Sequence, residues 1–319
     1  IKPLMQIVKE KNEKKIIEKE ENKKKKEEVK EEAKPRPAIN VMLNRPEGVQ
    51  EIREKLPIIG EEQYIMETIH ENDVVIVCGE TGSGKTTQIP QFLYEAGYGT
   101  LRTKGKIAIT EPRRVAAINM AKRVSYEMGL QFGQDVGYHI RGSKCFTSST
   151  TIKFLTDGVL LKEGENDALF SNYSVIIIDE AHERTINTDV LIGILSRMVI
   201  KRRKMFENGE NVEPLKLIIM SATLRVDDFV KNERLFQKPP PLIKINARQF
   251  DVAVHFSSDT PSKEDVINRV KHTVCQIHER MGPGGILVFL PGKQDIIECV
   301  NYFKRLYSKA NNTKPKRNN

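Results

Sequence analysis

Apolar and polar positions divide this chain into three zones. Residues 1–34 are a lysine/glutamate tract with scattered aliphatics and no aromatic residue. Such a tract has no face worth burying and reads as a solvated helix or a disordered arm. Pro35 and Pro37 end any helix there, and 38–57 reads as an irregular lead-in closed by Pro57. From Leu56 the pattern becomes globular. Residues 61–72 have helical spacing, with Tyr64, Ile65, Met66 and Ile69 on or near one face. Short apolar runs then follow at 74–78, 107–110, 151–155, 175–179, 217–220 and 286–290. Helical stretches at 88–96, 115–128, 158–163 and 189–206 separate the first five. Continuous β-branched runs separated by helices predict an α/β fold, a parallel sheet covered on both faces. Three successive prolines within 237–242 mark a boundary. A second α/β unit is expected beyond it, with strand 251–256, helix 263–281 and strand 286–290.

Composition narrows the function class. Apolar residues are 39% and charged residues 30%, enough apolar content to exclude wholesale disorder. No apolar run approaches the roughly 18–20 residues of a membrane span, so no membrane partner is expected. Four cysteines, at 78, 145, 275 and 299, show no Cys-x-x-Cys spacing. That speaks against a zinc site or disulfide scaffold and for a reducing compartment. The net charge of +9 suits a polyanionic partner.

The chemistry begins at Gly79-Glu80-Thr81-Gly82-Ser83-Gly84-Lys85-Thr86, with Thr87 next. It fits G-x-x-x-x-G-K-[ST] between a predicted strand and a predicted helix, the context a phosphate-binding loop requires. The glycines let backbone N–H groups curl round a phosphate, and the helix N-terminus adds its dipole. Lys85 reaches the β/γ-phosphates and Thr86 offers a hydroxyl to Mg²⁺. Downstream, strand 175–178 delivers Asp179 and Glu180 at its C-terminal end, where open α/β sheets bind ligands. Asp179 is placed to hold the metal, and Glu180 to orient and deprotonate an attacking water.

Asp179-Glu180-Ala181-His182 spells the signature of the DEAH-box helicases of superfamily 2, and the similarity extends along the chain. In order stand 79–86, Thr110-Glu-Pro-Arg-Arg-Val-Ala-Ala117, Thr156-Asp-Gly-Val-Leu-Leu-Lys-Glu163, Asp179-Glu-Ala-His-Glu-Arg184, Ser221-Ala-Thr223 and Leu287-Val-Phe-Leu-Pro-Gly-Lys293. They resemble the family's motifs I, Ia, Ib, II, III and IV over about 56–300. The resemblance implies two tandem RecA-like domains, and NTP hydrolysis coupled to movement on RNA. It divides the chain into a charged arm and lead-in (1–55), an ATP-binding RecA-like domain (56–247), the start of a second (248–308) and a basic tail (309–319). Catalytic roles fall on Lys85, Glu180, His182, Ser221 and Thr223. Residues 79–87 bind ATP or another NTP, and Arg123 resembles the arginine that stacks on the base. Thr86 and Asp179 take Mg²⁺. Arg113, Arg114, Arg141, Thr156 and Asp157 face the RNA backbone.

Within the family, Pro90-Gln-Phe-Leu-Tyr-Glu-Ala-Gly-Tyr98 and Glu111 look like the Kurz-type branch. That branch acts on the ribosomal small-subunit precursor in the nucleolus, which implies pre-ribosomal RNA as partner, a protein activator, and a nuclear location. Two departures stand out. Ile140-Arg141-Gly-Ser lacks the aromatic and acidic residues usual at that place. Nothing resembles motifs V and VI, and the first residue is not methionine, so a fragment of a longer protein or a truncated gene product is expected, weakly active or inactive alone. Other readings of the same residues are a P-loop switch or scaffold without unwinding activity, and a DNA-directed helicase of the same superfamily. A GTPase is disfavoured because no Asn-Lys-x-Asp follows the acidic strand.

Overall fold

The structure, a computed structural model, describes residues 39–223, 229, 232–245, 251–262 and 265–311, with 309–311 described by backbone alone. The expected charged arm up to residue 38 and the tail from 312 lie outside these. The chain divides into two compact units, Ile1–Asp251 and Val252–Asn319.

In the first unit, α1 (Val49–Glu54) and a short 3₁₀ turn (Pro57–Glu61) lead into α2 (Glu62–Glu71). Then come β1 (Val74–Gly79), α3 (Lys85–Glu95), β2 (Lys106–Thr110), α4 (Arg114–Met128), β3 (Val136–Ile140), β4 (Ser143–Cys145) and β5 (Ile152–Leu155). They are followed by α5 (Asp157–Asn166), β6 (Tyr173–Ile178), a 3₁₀ turn (Ala181–Glu183), α6 (Ile186–Glu207), β7 (Lys216–Ser221) and β8 (Leu242–Ile245). The eight strands form one sheet in the order β4-β3-β5-β2-β6-β7-β1-β8. Every pairing is parallel except β3 with β4. This is a RecA-like α/β architecture.

The strands were legible because they are buried on both faces. Val75 and Val77 of β1 pack with Ile65, Phe92, Ala117 and Ala121 of α2, α3 and α4. Their neighbours Ile76 and Cys78 pack on the other side with Leu160, Leu191 and Leu195 of α5 and α6. Period-two alternation thus serves two cores, and the sequence shows an unbroken apolar run. The helix α6 begins three residues ahead of its expected start, because the Thr185 hydroxyl accepts the Thr188 N–H at 3.1 Å and caps it.

Three features depart from expectation. The lead-in is not irregular throughout: Gly48, at φ +76°, opens α1, and Val49 and Arg53 are buried. The β3/β4 hairpin and β8 were not expected, since Val136-Gly-Tyr-His-Ile140 carries polar and small residues next to the edge strand β4, and β8 follows the proline cluster.

The second unit has two helices, α7 (Val266–Arg280) and α8 (Lys293–Asn311). The expected strands 251–256 and 286–290 are not formed among the described residues. A strand needs a ladder partner, and these segments have none there; Phe256 and Phe289 stand 92% and 86% exposed. The helix α8 also runs two residues past 309, where a tail was expected, since Lys309-Ala310-Asn311 contains no helix breaker. No helix among the described residues is long and apolar enough to cross a membrane.

Candidate nucleotide site and RNA-side cleft

Five central strands run parallel, so their C-terminal ends share one edge of the sheet. At that edge stand Gly79, ending β1, Glu111 after β2, Thr156 after β5, Asp179 after β6 and Ser221, ending β7. Residues scattered over 140 positions of sequence therefore meet in one place.

The loop between β1 and α3 needs its glycines. Gly82 and Gly84 adopt φ +86° and +96°, and a Cβ on Gly84 would come within 2.9 Å of the Ile58 side chain. Lys85 opens α3, and its ammonium donates to Gly79 O at 2.5 Å and Glu80 O at 3.2 Å, with Ser83 Oγ at 3.4 Å. Burial pulls its pKa down, opposed by Asp179 and Glu180. Thr86 Oγ1 donates to Asp179 Oδ2 at 2.5 Å, and the Glu180 N–H donates to Asp179 Oδ1 at 2.8 Å. Asp179 is buried, which pushes its carboxyl up to about 6, with Glu180 adding to the rise. Glu111 is buried beside both acids, and its carboxyl is pushed up to about 9 by burial and then by Asp179 and Glu180. The three acids repel one another, and a cation beside them would offset that repulsion.

The donor set is a threonine hydroxyl and a carboxylate, both hard oxygens. No group of three or more His, Cys, Asp or Glu able to hold a metal occurs among the described residues. Mg²⁺ is commonly held by one or two protein oxygens, with waters and substrate phosphates completing the octahedron. Thr86 and Asp179 fit that ion in company with a nucleotide.

Glu180 sits in the left-handed region at φ +51°, as does Arg184. His182, in the turn between them, accepts the Ala222 N–H at Nδ1, 3.2 Å away. An Nδ1 that accepts carries no proton, so its 3.2 Å approach to Glu180 Oε2 is a contact and not a hydrogen bond. The acidic loop is thereby tied to Ser221-Ala-Thr223. The Ser221 hydroxyl closes its own turn, donating to Thr223 O at 3.0 Å and facing the Thr223 N–H at 3.2 Å.

A pocket of about 540 Å³ joins the loop residues Thr81, Lys85 and Thr86 to Glu111, Glu180 and Arg123. Arg123 is half exposed, and its Nε donates to Glu127 Oε1 at 2.5 Å. Burial pushes Glu127 up, but hydrogen bonds from Arg123, Gln91 and Gln88 outweigh it and hold the carboxyl below its usual value. Sequence reasoning missed Glu127, Gln88 and Gln91. Polar residues on helices read as solvated, and nothing local marks them as buried.

A second cleft, about 980 Å³, collects Arg114, Arg141, Thr156 and Asp157. His139, Lys162 and Asn187 line it too, and no motif assigns them a role. Arg113 is not in its wall; it reaches Glu183 instead, at 3.0 Å. Asp157 turns its carboxylate inward, where Oδ2 accepts from Thr188 Oγ1 at 2.6 Å and Thr185 Oγ1 at 3.2 Å. Its contribution is to brace the wall against the start of α6, because a carboxylate facing phosphates would repel them.

A sequence model of the DEAD/DEAH box helicases matches residues 61–230, more than half of the chain. The chain belongs to the DEAD/DEAH box helicase family. It is 55% identical over 261 residues to the probable ATP-dependent RNA helicase DHX37 of Homo sapiens, covering 82% of this chain and 22% of that protein. The probable ATP-dependent RNA helicase kurz of Drosophila melanogaster is 53% identical over 269 residues, covering 84% and 22%. The probable ATP-dependent RNA helicase DHR1 of Saccharomyces cerevisiae is 50% identical over 283 residues, covering 88% and 22%. The chain spans under a quarter of the length of these relatives.

Proposed function

We propose that this chain carries the ATP-binding half of an RNA helicase motor, one that uses ATP hydrolysis to move on or remodel RNA. The observation that carries this is the apposition of Thr86 and Asp179 at 2.5 Å, with Lys85 behind them and Glu180 at the pocket's edge. In this reading Lys85 leaves its backbone carbonyls for the β- and γ-phosphates. Asp179 and Thr86 hold Mg²⁺, which when bound offsets phosphate charge. Glu180, aimed by its left-handed backbone, orients water and takes its proton. His182, Ser221 and Thr223 link that loop to the end of β7.

The cleft lined by Arg114, Arg141 and Thr156 suits a phosphate backbone, which needs cations and hydroxyls more than base-reading groups. The letters at 90–98 and Glu111, with the similarity to kurz, support a role on pre-ribosomal RNA in the nucleolus, with a protein activator. The resemblance assigns the cation that completes phosphoryl transfer to a motif outside this segment, so turnover by these 319 residues alone should be slow.

The test is titration of a fluorescent ATP analogue with Mg²⁺. Lys85→Ala should weaken binding roughly ten- to a hundredfold, the scale of a charge-assisted contact. Glu180→Gln should keep binding and abolish the RNA-stimulated hydrolysis of the full-length protein. Equal affinity in the wild type and Lys85→Ala would sink this reading.

A further inference from the structure

Two buried side-chain oxygens have no hydrogen-bond partner among the described residues: Thr110 Oγ1, at the end of β2, and Asp157 Oδ1, at the start of α5. Thr110 is fully buried and Asp157 is 3% exposed. A buried oxygen without a partner is costly, and two such oxygens close together call for a shared one.

Pleat and register put both on one face of the sheet. Ile107 and Ile109 of β2 join the core beneath α2, α3 and α4, whereas Ala108 joins the core beneath α5 and α6. Thr110 lies two residues beyond Ala108 and shares its face. Leu155 pairs with Thr110 across β2 and β5 and packs in that same second core. Asp157 follows two residues later. Thr185 and Thr188, at the start of α6, already hold its Oδ2, so only Oδ1 is open toward the sheet.

This pair stands between the two clefts. Thr156 and Asp157 line the RNA-side cleft, and Glu111 lines the nucleotide pocket. Backbone bonds lace the same strand ends. The Glu111 N–H donates to Leu155 O at 2.8 Å, and the Asp179 N–H donates to Thr110 O at 3.2 Å. A shift of the Thr156–Asp157 wall that is passed to Thr110 therefore reaches Glu111 and Asp179.

We propose that Thr110 Oγ1 and Asp157 Oδ1 share one buried water, and that this bridge makes Thr110 a positioning residue coupling the RNA-side wall to the acids of the nucleotide site. The water donates to the carboxylate and exchanges a hydrogen bond with the hydroxyl, which satisfies both oxygens. The coupling rests on the reading of the two clefts above. The water site does not.

Thr110→Val keeps the shape and removes the hydroxyl. For a hydroxyl with no partner the change should raise Tm, because an unpaired buried group is lost. The bridge predicts the opposite sign, a fall of about 2–6 °C in the 319-residue chain, because Asp157 Oδ1 and its water lose their partner. A high-resolution crystal structure of the wild-type chain should show a water within about 3.2 Å of both oxygens. In the full-length protein Thr110→Val should keep RNA affinity, yet reduce RNA stimulation of ATP hydrolysis roughly three- to tenfold. Thr110→Ser returns the hydroxyl and should recover the stimulation. A rise in Tm, a dry site, stimulation unchanged by Thr110→Val, or Thr110→Ser as defective as Thr110→Val would each overturn the proposal. A wild-type protein that RNA does not stimulate would overturn the RNA reading instead, and the sign of the Tm shift would still decide the water.

Discussion

Arg113 donates from Nη2 to Glu183 Oε1 at 3.0 Å, joining the loop after β2 to the turn that follows Asp179 and Glu180. Glu183 closes that turn, its N–H donating to Glu180 O at 2.9 Å. The pair is exposed on the arginine side and is worth about 0–1 kcal/mol, so a phosphate can compete for Arg113. Glu183→Gln should therefore tighten single-stranded RNA binding by roughly two- to fivefold at low salt. Arg113→Ala should weaken binding for all sequences and reduce the salt slope by about 1. In fluorescence anisotropy the gain from Glu183→Gln should vanish when Arg113 is already alanine. A gain that persists there would show that Arg113 does not meet the phosphates.

Asp73, between α2 and β1, gives the clearest pH dependence outside the site. Burial pushes its carboxyl up, but hydrogen bonds and charge from Arg203 and Lys216 outweigh burial and hold it below its usual value of 3.8. Arg203 Nε donates to Asp73 Oδ2 at 2.7 Å, and Lys216 Nζ lies 3.4 Å from Oδ1. The unfolded chain therefore takes up this proton at higher pH than the folded one. The stabilisation is complete above about pH 4 and is lost as pH falls through the lowered folded value. Asp73→Asn should cost about 1–3 kcal/mol at pH 7, and the gap in urea midpoint should narrow below pH 4. A gap that is constant with pH would mean the aspartate acts by packing alone.

The sheet was legible because β1, β2, β6 and β7 are buried on both faces and show it as unbroken β-branched runs. The P-loop and the acidic strand were legible because glycine, lysine and acidic spacing follow from phosphate chemistry. Strands 251–256 and 286–290 failed for the converse reason: a run of apolar letters gives propensity, but the ladder is a property of neighbours. Edge strand β4 carries polar residues because one neighbour is enough there, and β3 beside it is only partly covered at Tyr138 and His139. The relay from Arg53, whose Nε donates to Gln88 Oε1 at 2.6 Å, through Gln88 and Glu127 to Arg123 was invisible because each member is an ordinary helix-surface residue in isolation. Only the crossing of α1, α3 and α4 buries Arg53, Gln88 and Glu127 together and leaves Arg123 at the rim. Arg113, placed by its motif on the RNA side, meets Glu183, a partner 70 positions away that no local pattern names.

The lead-in and α4 meet at one point where no side chain fits. Gly129 ends α4 at φ +66°, and a Cβ there would lie 1.9 Å from Asn44 O. That atom is backbone, so no rotamer change relieves the overlap. Left-handed backbone adds about 1–2 kcal/mol for a non-glycine residue. Asn44 precedes Arg45, whose Nη1 donates to Glu127 O at 3.0 Å. Gly129→Ala should thus push the lead-in off α4 and loosen the relay to Arg123. The expected result is a fall in Tm of at least about 4 °C, with weaker ATP binding and unaltered tripolyphosphate binding. Gly209, at φ +78° with nothing within 4 Å of a built Cβ, is the control. Gly209→Ala carries the backbone strain without the overlap, so it should lower Tm less and leave ATP affinity unchanged. Equal behaviour of the two variants would show that contact between Asn44 and α4 does not govern the pocket.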